Sequence, residues 1–177
     1  MRQEAEGKTR CYWDPALKGD KDVYLDFVKE LRARGMIEFH RSCECRAGIF
    51  FVTKKSGKLR LVVDARGANQ MLRTPPCTSL ASTAAVCEFE GSPDGVWFSG
   101  QDIADCFYQF RIPFALQRYF GLRPVRATDL GLTHVGGHRL PLNALVLPCL
   151  AVLPMGFSWA LHWTQEAHRF LIDQAGL

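Results

Sequence analysis

Gly48-Ile-Phe-Phe-Val-Thr-Lys-Lys-Ser-Gly-Lys-Leu-Arg-Leu-Val-Val-Asp64 consists of two apolar runs rich in β-branched and aromatic residues, separated by a polar turn. Val, Ile, Phe and Thr suit a pleated, half-buried surface, and Ser56-Gly57 supplies the reversal between the runs. The stretch reads as a β-hairpin, with a strand over 48–54, a turn over 55–58 and the returning strand over 59–64. Lys54, Lys55 and Lys58 cluster at its tip, and Arg60 stands at the start of the return.

Upstream of the hairpin, Asp20 or Asp22 can cap a helix whose apolar positions Val23, Tyr24, Phe27, Val28 and Leu31 fall at helical spacing, and Gly35 suits its end. Downstream, Pro75 and Pro76 break regular structure, and Ser79 can open a short helix running past Val86 to Phe89. A Gly/Ser/Pro/Asp turn over 91–95 leads to Val96-Trp-Phe-Ser-Gly-Gln-Asp102, which reads as a buried strand with an aspartate at its end, followed by a helix or tight turn from Asp105. The stretch 123–143 holds three glycines without periodicity and reads as a loop or irregular hairpin. Residues 145–153 are strand-like, and 157–175 form a helix stopped by Gly176. Strands and helices mix without regular βαβ alternation, so the expected class is α+β.

With 177 residues and 47% hydrophobic content, the chain has apolar material for one core of ordinary domain size. The first eighteen residues mix charged and polar side chains with no apolar signal core, and the apolar run 144–157 is short and interrupted by Pro148 and Pro154. An intracellular protein of the cytoplasm or nucleus, with no membrane segment, is expected. Seven cysteines at irregular spacing fit a reducing compartment. Cys43-x-Cys45 has no second Cys or His pair at zinc-finger distance, and His134-x-x-x-His138 lies in a glycine-rich loop without carboxylate or thiolate partners. Neither is read as a metal site. The net charge of +4 is unevenly spread: Arg41, Arg46, Lys54, Lys55, Lys58, Arg60, Arg66 and Arg73 face only Glu44 and Asp64 between positions 41 and 73. Such a segment suits a phosphate-bearing partner, although charge alone would equally describe a solvated surface.

Three blocks, in this order, resemble the reverse transcriptases of retroelements. Residues 50–69 are similar to that family's fingers hairpin followed by its Asp-x-Arg-x-x-Asn signature, here Asp64, Arg66 and Asn69. Residues 98–113 resemble the first catalytic palm motif, and residues 153–165 resemble the Leu-Pro-x-Gly motif with its downstream Gln. The resemblance covers about residues 20–175. It implies a right-hand polymerase fold: a β-hairpin in the fingers and an incomplete antiparallel palm sheet packed on helices. In these terms 1–19 is a polar leader, 20–95 the fingers and start of the palm, and 96–177 the palm, with a fingers-type insertion loop over about 114–150.

The resemblance also assigns roles. Asp102, with the backbone carbonyl of Ile103, would ligate Mg²⁺ (or Mn²⁺), one of two ions that stabilise the attacking and leaving oxygens in the complete enzyme. Phe107 would lie beneath the sugar of the incoming nucleotide and exclude a 2′-hydroxyl, which disfavours an RNA-dependent RNA polymerase; Asp105 and Cys106 would offer backbone N–H groups to the triphosphate. Arg60 would grip the phosphates with its planar fork, and Lys54 or Lys55 would add a point charge. Met155 and Gly156 would face the nascent base pair, with Met155 standing where relatives carry Gln. Arg66 and Asn69 would lie toward the template, and Gln165 would be structural or template-facing. The partners implied are an RNA template, a DNA primer and deoxynucleoside triphosphates.

The family's second carboxylate motif, an aromatic-x-Asp-Asp, would follow the last helix, and no adjacent Asp-Asp pair occurs in the sequence. The expectation is therefore a fingers and partial palm cut before that motif, without polymerase activity by itself. The alternative from another class is a non-catalytic, nucleic-acid-binding remnant of a mobile element that uses the basic hairpin to hold strands by their backbones.

Overall fold

A computed structural model describes residues 10–80, 83–88, 95, 100 and 102–176. In chain order the elements are α1 (Pro15–Gly19), α2 (Lys21–Ala33), β1 (Ile37–His40), β2 (Gly48–Thr53), β3 (Leu59–Asp64), α3 (Arg66–Met71), α4 (Thr83–Cys87), a 3₁₀ turn over Cys106–Gln109, α5 (Phe114–Gln117), β4 (Val125–Arg126), a second 3₁₀ turn over Ala127–Leu130, β5 (His134–Val135), β6 (His138–Arg139), β7 (Leu145–Leu150) and α6 (Ala160–Ala175). Helices and small antiparallel sheets mix, which is the α+β class.

The hairpin falls on the boundaries read from its composition. β2 and β3 pair antiparallel from Gly48 opposite Asp64 to Thr53 opposite Leu59. Gly57 takes φ +79° at the turn, a conformation that costs glycine least. A three-stranded sheet of order β1-β7-β4 forms the second layer. Its central strand β7 is buried along most of its length, including Val146 and Leu150, and Phe120, Leu122 and Leu153 are buried in the same core. α2 covers this core with Tyr24, Leu25, Val28 and Leu31, while Asp20 caps its first turn by accepting from the N–H groups of Asp22 and Val23. Val23, expected on the buried face, is exposed and Leu25 takes its place. Gly35, with φ +67°, follows the helix as expected.

Several expectations are revised. Residues 10–19, within the polar leader, pack against the fold. Residues 10–14 lie beside β2, with the Asp14 N–H donating to the Ile49 carbonyl, and α1 buries Leu17. Gly48 permits this approach, since a Cβ there would lie 1.9 Å from the Tyr12 carbonyl oxygen. The stretch 114–150 is not one insertion loop: it supplies β4, the β5–β6 hairpin and the central strand β7. β1 was not foreseen, because Ile37-Glu-Phe-His is too short for alternation to announce it. The short helix expected after Ser79 is described over Thr83–Cys87, and α6 begins at Ala160 rather than Phe157. The strand expected over 96–102 falls mostly on residues outside the described set. α6 exposes Leu161, Phe170 and Leu171. Among the described residues no helix is long and apolar enough to cross a membrane.

Arg123 ties the N-terminal segment to the core. Its Nη1 donates to the carbonyls of Leu17 (2.6 Å) and Lys18 (3.1 Å), and its guanidinium lies over the rings of Trp13 and Tyr24. These carbonyls lie at the C-terminal end of α1, where a cation is favoured and orphan acceptors need donors. The Tyr24 hydroxyl donates in turn to the Arg123 carbonyl, and burial pushes that phenol well above its ordinary value. Replacing Arg123 with alanine is expected to cost about 1–3 kcal/mol, since charged-donor bonds and ring contacts are lost together. Urea unfolding of the variant measures this, and an unchanged midpoint would show that α1 docks without the clamp.

Candidate nucleotide and template site

The three sequence blocks meet through specific backbone and side-chain bonds. The Val63 N–H, in β3, donates to the Met155 carbonyl at 3.0 Å. Asn69, in α3, donates from Nδ2 to the Gly156 carbonyl (3.0 Å) and accepts at Oδ1 from the Ser158 N–H (3.0 Å). An amide can do both at once because it carries a donor and an acceptor side by side. The Pro154-Met-Gly turn is thereby held against the end of the hairpin. Gly156 has φ +117°, and a Cβ there would lie 2.2 Å from the Val63 carbonyl oxygen, so both the backbone angle and the close approach require glycine.

The middle block is fastened to both others. The Tyr108 hydroxyl donates to the Leu61 carbonyl of β3 (2.8 Å), and burial followed by the nearby Asp105 charge pushes this phenol up to about 12. The Leu153 N–H donates to the Phe110 carbonyl and the Ile112 N–H to the Ala151 carbonyl. Asp105 adopts the left-handed conformation (φ +49°, ψ +36°) at the start of the 3₁₀ turn, an unusual backbone for a residue with a side chain. Cys106 and Phe107 follow it, half-buried, and Phe107 packs on the hydrophobic core. Asp102 and Ile103 precede the turn and are exposed.

At the hairpin tip Lys54, Lys55 and Arg60, all exposed, surround an open cavity of about 450 Å³ together with Val52, Thr53 and Ser56. Arg60 stands opposite Val52, one register step from the last pair of the ladder. Gln165 is half-buried on α6.

The motif reading included Asp64 in its signature without giving it a role. Its carboxylate is nearly inaccessible and accepts from the Tyr12 N–H (2.7 Å), the Arg66 N–H (3.3 Å), and Arg66 Nε and Nη2 (each 2.8 Å). The Arg66 guanidinium beside it, helped by the backbone donors, holds this carboxyl down at about 2. Nη2 of Arg66 also donates to the Arg10 carbonyl, so the arginine expected to face the template is oriented by an aspartate and by the N-terminal segment. Tyr12, Phe50, Val63, Asp64, Ala65, Arg66 and Gly156 line a second cavity of about 330 Å³ where these parts meet. The signal was present in the sequence: an aspartate closing a strand two residues before an arginine is placed to accept from it.

Among the described residues no group of three or more His, Cys, Asp or Glu could hold a metal ion. No protein-family model matches the chain, and no curated protein matches it.

Because its folded value lies below that of a free carboxyl, Asp64 contributes stability above pH about 4 and loses it as the pH falls toward about 2. Discounted for the exposure of Arg66, the contribution is about 1–2 kcal/mol. Asp64→Asn is expected to lower stability at neutral pH and to flatten the loss between pH 4 and pH 2. Unfolding curves across that range check this, and an acid slope identical to that of the parent would place the titrating group elsewhere.

Proposed function

We propose that the chain is the fingers and the beginning of the palm of an RNA-directed DNA polymerase of retroelement type. The observation that carries this reading is the convergence of its three motif blocks: residues up to 92 positions apart in sequence are joined by the Asn69 amide, the Val63–Met155 bond and the Tyr108 hydroxyl.

In this reading Arg60, with Lys54 or Lys55, meets the triphosphate at the exposed hairpin tip, where cations remain solvated until an anion arrives. Phe107 is backed by the core, which keeps its ring from yielding to a 2′-hydroxyl. The strained turn at Asp105 leads directly into Cys106 and Phe107, so backbone N–H groups and the steric gate belong to one short unit. Gly156 brings a bare backbone to the nascent pair, and Met155 offers it an apolar side chain without an amide. Arg66 and Asn69 act toward the template through the positions that Asp64 and the Met155-Gly156 turn give them.

The Asp102 carboxylate and Ile103 carbonyl are hard oxygen donors of the kind Mg²⁺ or Mn²⁺ takes, and such an ion, when bound, stabilises charge on the transferring phosphoryl group. These two donors do not complete a two-ion site, and with no adjacent Asp-Asp pair in the sequence the 177-residue polypeptide is proposed to be inactive alone.

Two measurements test the proposal. Changing Lys54, Lys55 and Arg60 together to alanine is expected to lower affinity for deoxynucleoside triphosphate and for an RNA–DNA hybrid at least tenfold at low salt; unchanged affinity overturns the fingers reading. Mg²⁺-dependent primer extension on an RNA template is expected only from a version that continues the reading frame through an Asp-Asp motif, and Asp102→Asn is expected to abolish it. Hybrid binding without extension in any such version would favour the non-catalytic binding module instead.

A further inference from the structure

Two half-buried thiols converge on one backbone oxygen beside the Asp64–Arg66 pair. Cys11 Sγ donates to the Arg46 carbonyl at 3.0 Å and Cys45 Sγ to the same oxygen at 3.5 Å. The two sulfurs therefore lie no farther apart than those two distances placed end to end. We propose that Cys11 and Cys45 form a reversible disulfide that staples the N-terminal segment onto the hairpin and α3. This inference is independent of the polymerase reading, since it concerns only the segment and its anchorage.

Each cysteine sits on a fastened stretch of backbone. Cys45 sits on a fixed loop: the N–H groups of Glu44 and Cys45 donate to the Arg118 carbonyl, the Ala47 N–H to the Gly121 carbonyl, and the Gly121 N–H back to the Cys45 carbonyl. Its sulfur rests against Gly67 of α3, where a Cβ would approach it to 2.7 Å. Cys11 sits on the segment held by bonds from Tyr12 to Asp64, Arg66 to Arg10 and Asp14 to Ile49. Cys43 is the obvious competitor, but its sulfur lies against Gly121 rather than beside the Arg46 carbonyl. A disulfide tolerates only a narrow range of Cβ separations, so the two thiols must close on each other from the stretches that hold them.

The oxidant is a small-molecule disulfide of the glutathione class. One protein thiolate displaces a glutathione thiolate to give a mixed disulfide, and the second protein thiol then expels the other glutathione. Two protein thiols become one S–S bond, and the oxidant leaves as two reduced thiols. Burial raises both protein thiols above their ordinary value, so exchange runs faster in mildly alkaline solution.

The test treats the full chain with oxidised glutathione, blocks remaining thiols by alkylation, and examines tryptic peptides by mass spectrometry. Peptides 11–18 and 42–46 are expected to be linked through Cys45, and the link is expected to persist in Cys43→Ser and to vanish in Cys45→Ser. The linked form should melt about 5–15 °C higher than the reduced form, and reductant should return it to the starting value. Linkage of Cys11 through Cys43 in the parent, or glutathione adducts on both cysteines without a link between them, would overturn the proposal.

Discussion

One buried carboxylate organises the face that carries the three motifs. Asp64 ends β3, and the acceptor positions of its side chain are taken by donors from two directions: Tyr12 on the N-terminal segment, and Arg66 at the start of α3. A carboxylate this far from water is tolerable only when it is paired and bonded; without partners it would have to be protonated or would destabilise the fold by several kcal/mol. Three neighbours are thereby positioned at once. The strand must stop there, α3 must begin there, and the segment before α1 must return to the hairpin. Asn69 then sits one turn along α3, where its amide reaches the Met155-Gly156 turn.

Much of the local structure was legible from residue types. The β2–β3 hairpin is announced by paired β-branched runs around Ser56-Gly57, and the observed register joins them without a slip. The Asp20 cap and Gly35 stop bracket α2 as their chemistry requires. Legibility failed where tertiary contacts decide. The tetrapeptide Ile37-Glu-Phe-His becomes a strand because β7 pairs with it, and residues 10–14 are ordered by Asp64 and Ile49, partners far away in sequence. The stretch 114–150 looked irregular because two-residue strands leave no period to detect.

The candidate site was legible by position and less so by mechanism. The motif blocks mark Lys54, Lys55, Arg60, Asp105, Phe107, Met155 and Gly156, and the geometry adds what fastens them. Phe107 rests on the core, Tyr108 reaches Leu61, and Gly156 lies against Val63. None of those fastenings could be read from spacing, because each depends on atoms distant in sequence. Arg66 and Asn69 illustrate the difference. Their residue types suggest contact with a polyanion, yet in the fold each already has protein partners that set its direction, so any effect of replacing them mixes binding with architecture.

Gly48 has a meaning beyond the close approach it allows. The obstacle to a side chain there is a peptide carbonyl, which cannot swing aside as the tip of a long side chain could. Position 48 therefore reports on history. Among sequences held to this fold, codon changes that replace glycine at 48 should be purged, whereas silent changes at the same codon should pass. That one codon, read against its synonymous background, reports whether a related sequence is still held to this fold without any assay of the protein.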